Sequence, residues 1–230
     1  MPELHVLRVF VGPDGAGGNP LGVFLEGPAV PHAARQAIAT DLGFSETVFV
    51  DDTGTGALRI FTPATELSFA GHPLVGTAWL LARERAPVPA VRPPAGEVGT
   101  FTEDGRTWIR ARPEWSPPWR LVQLKQPAEI DALDSAKAAG EATYHWAWID
   151  ERRGLVRARF FAPDIGIVED EATGSAAVMM GGLLRRALAI RQGAGSELLV
   201  RPAADGWVEV GGLVELVERR EYALRAAAPR

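Results

Sequence analysis

The sequence predicts an α+β fold of two pseudo-symmetric lobes, each a curved, mostly antiparallel sheet or barrel around one central buried helix. Three observations carry that expectation. Short period-two runs recur along the chain with Gly, Pro and Asp turns between them, the pattern of antiparallel strands. Two segments, PLVGTAWLLARERA (73–86) and GSAAVMMGGLLRRALA (174–189), are apolar on every side until their last turns, as helices buried all round must be. The surroundings of these segments also match, RIFTPATELSFAGHPLVGTAWLLA against RFFAPDIGIVEDEATGSAAVMMGGLL. Phe61 and Pro63 align on Phe161 and Pro163; after a two-residue gap, His72, Gly76 and Thr77 align on Asp170, Gly174 and Ser175. Duplication explains the shared order of strand, turn, polar residue and buried helix better than coincidence.

Taken in order, MPELHVLRVFVG alternates apolar and polar residues and reads as a first strand, not a signal peptide. The Gly-rich turn GPDGAGG leads to GVFLE, a second strand. Pro31 opens a helix over His32–Leu42, with Ala34, Ala37, Ile38 and Leu42 as its apolar stripe and Gly43 at its C′ position. ETVFV and ALRIFT are strands ahead of the first buried helix, and TWIRAR is one after it. Residues 111–127 (ARPEWSPPWRLVQLKQP) hold four prolines and two tryptophans and form the crossing between lobes, because the residue before a proline favours extended chain. The boundary is expected near Pro117, giving lobes 1–117 and 118–230, with the last strand free to cross back. HWAWID, VRARFFA, ELLVR and GWVEVGG are second-lobe strands, AAGEA (138–142) is a loop, and the terminal RAAAPR is expected to fray. Glycine and alanine inside the two buried helices allow close approach of the surrounding backbone; helix propensity alone would not select so much glycine.

Composition narrows the function. With 230 residues, 47% of them apolar and 23% charged, the chain can bury a sizeable core and resembles an ordinary soluble protein. A net charge of −5 provides no basic face for nucleic acid, and no run is long enough to span a membrane, so the cytoplasm is the expected location. There is no cysteine, which excludes disulfides, thiolate metal sites and cysteine acid/base pairs. His5, His32, His72 and His145 are widely separated, with no HxH or HExxH pattern, so no zinc site is expected. No phosphate-binding glycine loop and no GxSxG elbow occur.

Several residues carry chemistry. Asp170 stands one turn before a helix start, where it is equally an acidic cap or a group beside a substrate. If both buried helices point their N-termini at the lobe interface, their free N–H groups form two anion-binding ends in one cleft, suited to a small carboxylate. His72 is Asp170's counterpart in the aligned repeat. Asn19, the sole asparagine, follows Gly17 and Gly18, which suit either a tight hairpin or close approach to a ligand. Glu46 interrupts FSETVFV but, taken alone, reads as a surface acid, and Ser175 reads as a helix-start hydroxyl rather than a nucleophile.

The ordered set GNPLGVF, FSETVFV, FTPATELSFAGHPLVGTA and GIVEDEATGSAA resembles the phenazine-biosynthesis isomerase family, within the diaminopimelate-epimerase-like fold. The resemblance spans most of the chain. It implies an active site between two lobes and proton transfer on a small carboxylated substrate, with neither cofactor nor metal. It assigns Glu46 as general acid/base, with His72, Asp170 and Ser175 binding substrate and guiding protons. Gly71, Gly174 and Ser175 would offer backbone N–H groups to a substrate carboxylate, Asn19 would line the site, and the protein would be a homodimer. Related enzymes of the fold use two cysteines; their absence leaves a carboxylate mechanism, in which an enclosed glutamate gains proton affinity by desolvation. The chain departs from the family in being short, in having few glycines over residues 123–142, and in placing Glu171 where a small residue or proline is common. The extra charge could raise the proton affinity of Asp170 or repel an acidic substrate. A non-catalytic small-acid-binding protein on the same fold is the alternative.

Overall fold

The first three strands of the first lobe bury most of both faces, because one helix lies inside the curved sheet and another lies outside it. A computed structural model describes residues 1–137 and 140–223. The terminal RAAAPR and the start of the AAGEA loop fall outside the described residues. The first lobe runs β1 (Glu3–Val11), β2 (Gly17–Phe24), α1 (His32–Leu42), β3 (Glu46–Asp52), β4 (Ala57–Phe61), β5 (Glu66–Leu67) and α2 (Gly71–Glu84). Leu7, Val9, Leu21 and Val23 pack inward with Leu74 and Val75 of α2, while Leu4, Val6, Phe24 and Phe49 pack outward with Ile38 of α1. Gly43 ends α1 in the left-handed conformation, at φ 67°, which turns the chain into β3.

Next come β6 (Ala90–Val91), β7 (Val98–Glu103) and β8 (Arg106–Ala111), then the proline-rich crossing. The second half contains β9 (Arg120–Gln123), α3 (Pro127–Asp131), β10 (Thr143–Asp150), β11 (Leu155–Ala162), β12 (Ile167–Asp170), α4 (Gly174–Leu184), β13 (Leu188–Gln192), β14 (Ser196–Pro202) and β15 (Val208–Glu221). Hydrogen-bonded neighbours run β5-β4-β3-β2-β1-β15-β14-β13-β11-β10-β9. The long β15 joins the halves: Val208–Gly212 pair with β8, and Leu213–Glu221 pair with β1 of the first lobe. Strands β6 to β8 therefore share a sheet with the second half.

Pairing shows the duplication directly. β2 is parallel to β3 as β9 is to β10, and Thr47 faces Phe61 as Thr143 faces Phe161. Ile60 pairs with Leu67 as Phe160 pairs with Asp170, so Leu67, not His72, is the counterpart of Asp170. The helix starts then align Gly71 with Gly174 and His72 with Ser175. The sequence alignment slipped along the helix because the turn from β11 to β12 is longer than that from β4 to β5, Phe160 pairing with Asp170 where Ile60 pairs with Leu67, and repeated small residues mask the offset.

Both buried helices need glycine inside the barrels. A Cβ on Gly76 would lie 2.6 Å from Leu21, and one on Gly181 2.6 Å from Val208. The second buried helix is shorter than its apolar run predicts. Arg185 adopts φ 50° and closes α4, and LAIRQ forms β13 between β11 and β14, burying Leu188, Ile190 and Gln192 on one face. Strand pairing there overrides helical propensity. Among the described residues no helix is long and apolar enough to cross a membrane.

Candidate active site

The starts of α2 and α4 meet between the lobes. A Cβ on Gly71 would fall 2.5 Å from the Gly174 carbonyl carbon, and one on Gly174 would fall 2.8 Å from Gly71 Cα. Backbone touches backbone, which only glycine permits. No side chain caps either helix, so first-turn N–H groups of both remain available side by side.

Asn19 ties the two halves together at this point. Its Nδ2 donates to Asp170 Oδ1 at 2.7 Å and to the Ala172 carbonyl at 2.9 Å, and its Oδ1 accepts from Ser45 Oγ at 3.0 Å. Those two donations use both amide hydrogens, so the 3.3 Å approach to His72 Nδ1 is not a third one. His72 has a hydrogen bond with the Pro20 backbone, and its Nε2 has no hydrogen-bond partner. We therefore assign the Nδ1–H tautomer, which leaves the Nε2 lone pair facing Glu46 Oε2 at 3.4 Å.

Asp170 is fixed by a buried chain of polar groups. Tyr144 OH and the Thr173 N–H both donate to Gln192 Oε1, at 3.0 and 3.1 Å. Gln192 Nε2 must then donate to the Asp170 carbonyl at 2.9 Å and to Thr173 Oγ1 at 2.8 Å. The Thr173 hydroxyl passes its own hydrogen to Asp170 Oδ2 at 2.7 Å. Each oxygen of Asp170 thus accepts a hydrogen bond, an arrangement that favours the carboxylate. Replacing the fully buried Gln192 by Leu strands three or four of these groups. The expected cost is about 1–3 kcal/mol, read as a lower urea midpoint, and an unchanged midpoint would refute the network's role.

Burial sets the protonation states. It pushes Glu46 up to about 8, the charge of Asp170 adding to the effect and the neighbouring Ser45 hydroxyl opposing it. Burial also lowers His72 to about 3 and raises Asp170 to about 6, where the Thr173 and Asn19 hydrogen bonds hold it down and Glu171 and Glu169 push it up. Near pH 7 the site therefore holds a neutral Glu46, a neutral His72 and an ionised Asp170. The 3.4 Å contact is between a carboxylic acid and an imidazole; it is not an ion pair.

A cavity of about 630 Å³ opens over these groups. Glu46, Asp170, Thr173 and Ser175 form its polar wall, and Phe69, Trp119 and Phe160 are part of its apolar side. Asn19, His72, Gly71 and Gly174 are buried directly behind that wall. The structure so gathers all seven predicted residues. Among the described residues no group of three or more His, Asp or Glu side chains could hold a metal ion.

The neighbouring acids are occupied elsewhere. Glu169 forms a two-pronged pair with Arg159, at 2.7 and 2.6 Å. The Glu171 carboxylate accepts from the Ala194 N–H at 2.9 Å and from Ser196 Oγ at 2.8 Å, which ties it to the β13–β14 turn rather than the cavity. It reaches Asp170 only through its charge. Sequence reasoning missed Thr173, Gln192, Tyr144 and Trp119. Trp119 had one signal, its place in the proline-rich crossing; Gln192 had none, since a single amide after an apolar run is commonplace.

The chain matches the family described as phenazine biosynthesis-like protein over residues 12–129 and 126–200. It is 32% identical to the trans-2,3-dihydro-3-hydroxyanthranilate isomerase of Pseudomonas fluorescens, with 87% of this chain and 80% of that protein covered. A phenazine biosynthesis protein of the PhzF family from Enterococcus faecalis has the same fold, with a TM-score of 0.76, 21% identity, and coverage of 97% of this chain and 99% of that one. A probable proline racemase of Agrobacterium radiobacter shares the fold at a TM-score of 0.64 and 10% identity, over 100% of this chain and 95% of that one.

Proposed function

This chain belongs to the phenazine biosynthesis-like family of isomerases, and from that premise we propose that it moves a proton between carbons of a small carboxylated metabolite without a cofactor. One observation carries the reading: Glu46 is a buried carboxyl in a cavity wall, with its proton affinity raised to about pH 8 and a neutral imidazole 3.4 Å away. A general acid/base works best with a pKa near the working pH.

The groups divide the labour. The substrate carboxylate sits at the paired helix starts, against N–H groups of Gly71, Gly174 and Ser175. Ionised Glu46 takes a proton from carbon, and the electron pair left behind delocalises toward that carboxylate, where the N–H donors stabilise it. Glu46, now neutral, exchanges this proton with solvent and returns one at another carbon, so the step is balanced with no net external acceptor. His72 Nε2, 3.4 Å from Glu46 Oε2, faces the carboxyl as a neutral acceptor toward which its proton can turn. Asp170 stays ionised, favours a cationic or hydrogen-bond-donating group on the substrate, and maintains the proton affinity of Glu46.

Because Glu46 must ionise before it accepts a proton, kcat/KM should rise with pH through about 8. Asp170 is already ionised above about 6 and does not limit that rise. A rate that falls through the same range would show that Glu46 begins by donating.

The direct test is incubation with trans-2,3-dihydro-3-hydroxyanthranilate, the compound in the name of the Pseudomonas fluorescens relative, and with a panel of small cyclic and amino-acid-like acids. Conversion of at least one of them, followed by NMR in metal-free buffer, is expected. Ligand-induced thermal stabilisation with no conversion across the panel would contradict catalysis and leave a small-acid-binding protein.

A further inference from the structure

We propose that Trp119 is a positioning residue that holds the Ser175 hydroxyl as a hydrogen-bond donor to the substrate; this inference rests on the isomerase reading above. Trp119 lies in the crossing between the two halves of the repeat. Its indole Nε1–H donates to Ser175 Oγ at 2.9 Å. An indole nitrogen can only donate, so the direction of this bond is not in doubt. A serine hydroxyl has one hydrogen and two acceptor positions. With one acceptor position taken by Trp119, and no acceptor for the Ser175 hydroxyl hydrogen among the described residues, that hydrogen is left for an occupant of the cavity.

Both partners are held firmly. The Trp119 ring meets Phe160 edge to face, with centroids 5.1 Å apart at 67°, and both rings belong to the cavity's apolar side. Ser116, three residues earlier, donates from Oγ to the Ser175 carbonyl at 3.0 Å. The crossing segment therefore grips Ser175 at its side chain and at its backbone. His72, the equivalent residue of α2, is held instead by Pro20 and faces Glu46. The two halves thus present different groups from the same helix position. The first half presents an imidazole beside the acid/base, and the second presents a hydroxyl whose polarity Trp119 fixes.

A fixed donor at the start of α4 suits a substrate oxygen, either the carboxylate or a carbonyl, and disfavours an ammonium group at that point. Without the indole N–H, the Ser175 hydroxyl is free to rotate and spends part of its time as an acceptor. The loss falls on binding, because the proton-transferring Glu46 is untouched.

The test is a double-mutant cycle on Trp119→Phe, which keeps the ring and removes the N–H, and Ser175→Ala. Anthranilate serves as the binding probe, and the converted acid from the panel as substrate. Trp119→Phe should raise the anthranilate Kd and the substrate KM by about three- to tenfold, the loss of one hydrogen bond, with kcat within about twofold of native. In the Ser175→Ala background the same substitution should change neither. Independent, multiplying effects of the two substitutions would overturn the proposal, as would a silent Trp119→Phe or a native protein that fails to bind anthranilate. If Trp119→Phe does not fold, Ser175→Ala alone decides: one of the seven tryptophan indole N–H resonances should move upfield on losing its acceptor, and no movement refutes the bond. Absence of turnover with an intact coupling in anthranilate binding would sink the isomerase reading and leave this one standing.

Discussion

Glu46→Gln lowers kcat by about 10²–10⁴-fold and leaves ligand binding nearly unchanged, the expected effect of removing a general acid/base. Glutamine has the shape of the neutral acid that occupies this position near pH 7, so the cavity wall and its contact with His72 survive. What disappears is the ability to lose and regain a proton. A second signature follows from linkage. Glu46 titrates at about 8 in the folded chain against an ordinary 4.5, so the folded state keeps a proton that the unfolded chain loses between those values. The resulting stability is complete below pH 4.5 and is lost as pH rises through 8. The native protein should therefore lose stability relative to Glu46→Gln between pH 5 and 8.5, as read by urea midpoints. Parallel pH dependence of the two proteins would show that Glu46 is not buried as an acid.

Gly71→Ala is the second large effect, and it acts by contact rather than by charge. Its added methyl would lie 2.5 Å from the Gly174 carbonyl carbon and 2.6 Å from Gly174 Cα, and backbone at a helix start cannot rotate away. The two helices must separate, at an expected cost of about 1–3 kcal/mol in stability, together with loss of the paired N–H groups and hence of substrate affinity. Gly174→Ala should behave alike. Gly99→Ala is the control, since its Cβ would meet only Arg110 Cβ, at 3.7 Å, an ordinary contact. A Gly71→Ala protein with the melting temperature and KM of the Gly99→Ala protein would contradict the close approach of the helix starts.

Local chemistry made much of the fold legible in the sequence. Pro31 and Gly43 bound α1 at the residues the structure shows, because one fixes a starting φ and the other supplies a left-handed cap. The two buried helices announced themselves by being apolar all round, and the strands flanking them by alternation. What failed depended on distant partners. LAIRQ resembles a helix end in isolation and becomes β13 because β11 and β14 offer it hydrogen bonds on both sides. The slipped repeat register paired His72 with Asp170, two residues that do meet near Asn19 but for a different reason: each comes from its own side of the lobe interface.

The candidate site shows the same division. Asp170, His72 and Asn19 could be noticed from their positions beside helix starts and glycines. Glu46 was indistinguishable from a surface acid until family resemblance singled it out, since its buried neighbours His72 and Asp170 are distant in sequence. Gln192 left no trace in the sequence, because a hub of four hydrogen bonds is visible only once three separate segments, around residues 144, 170–173 and 192, are brought together.

The measurement that bears most directly on proton transfer at carbon is turnover of trans-2,3-dihydro-3-hydroxyanthranilate, or of whichever panel acid is converted, in D₂O. Mass spectrometry would follow the native protein beside Glu46→Gln. The proton that Glu46 takes from carbon exchanges with solvent through the cavity before it is returned, so the native protein should yield product carrying one solvent deuterium on carbon, and Glu46→Gln should yield none. Product formed by the native protein with no deuterium on carbon, or equal uptake by both proteins, would contradict the account.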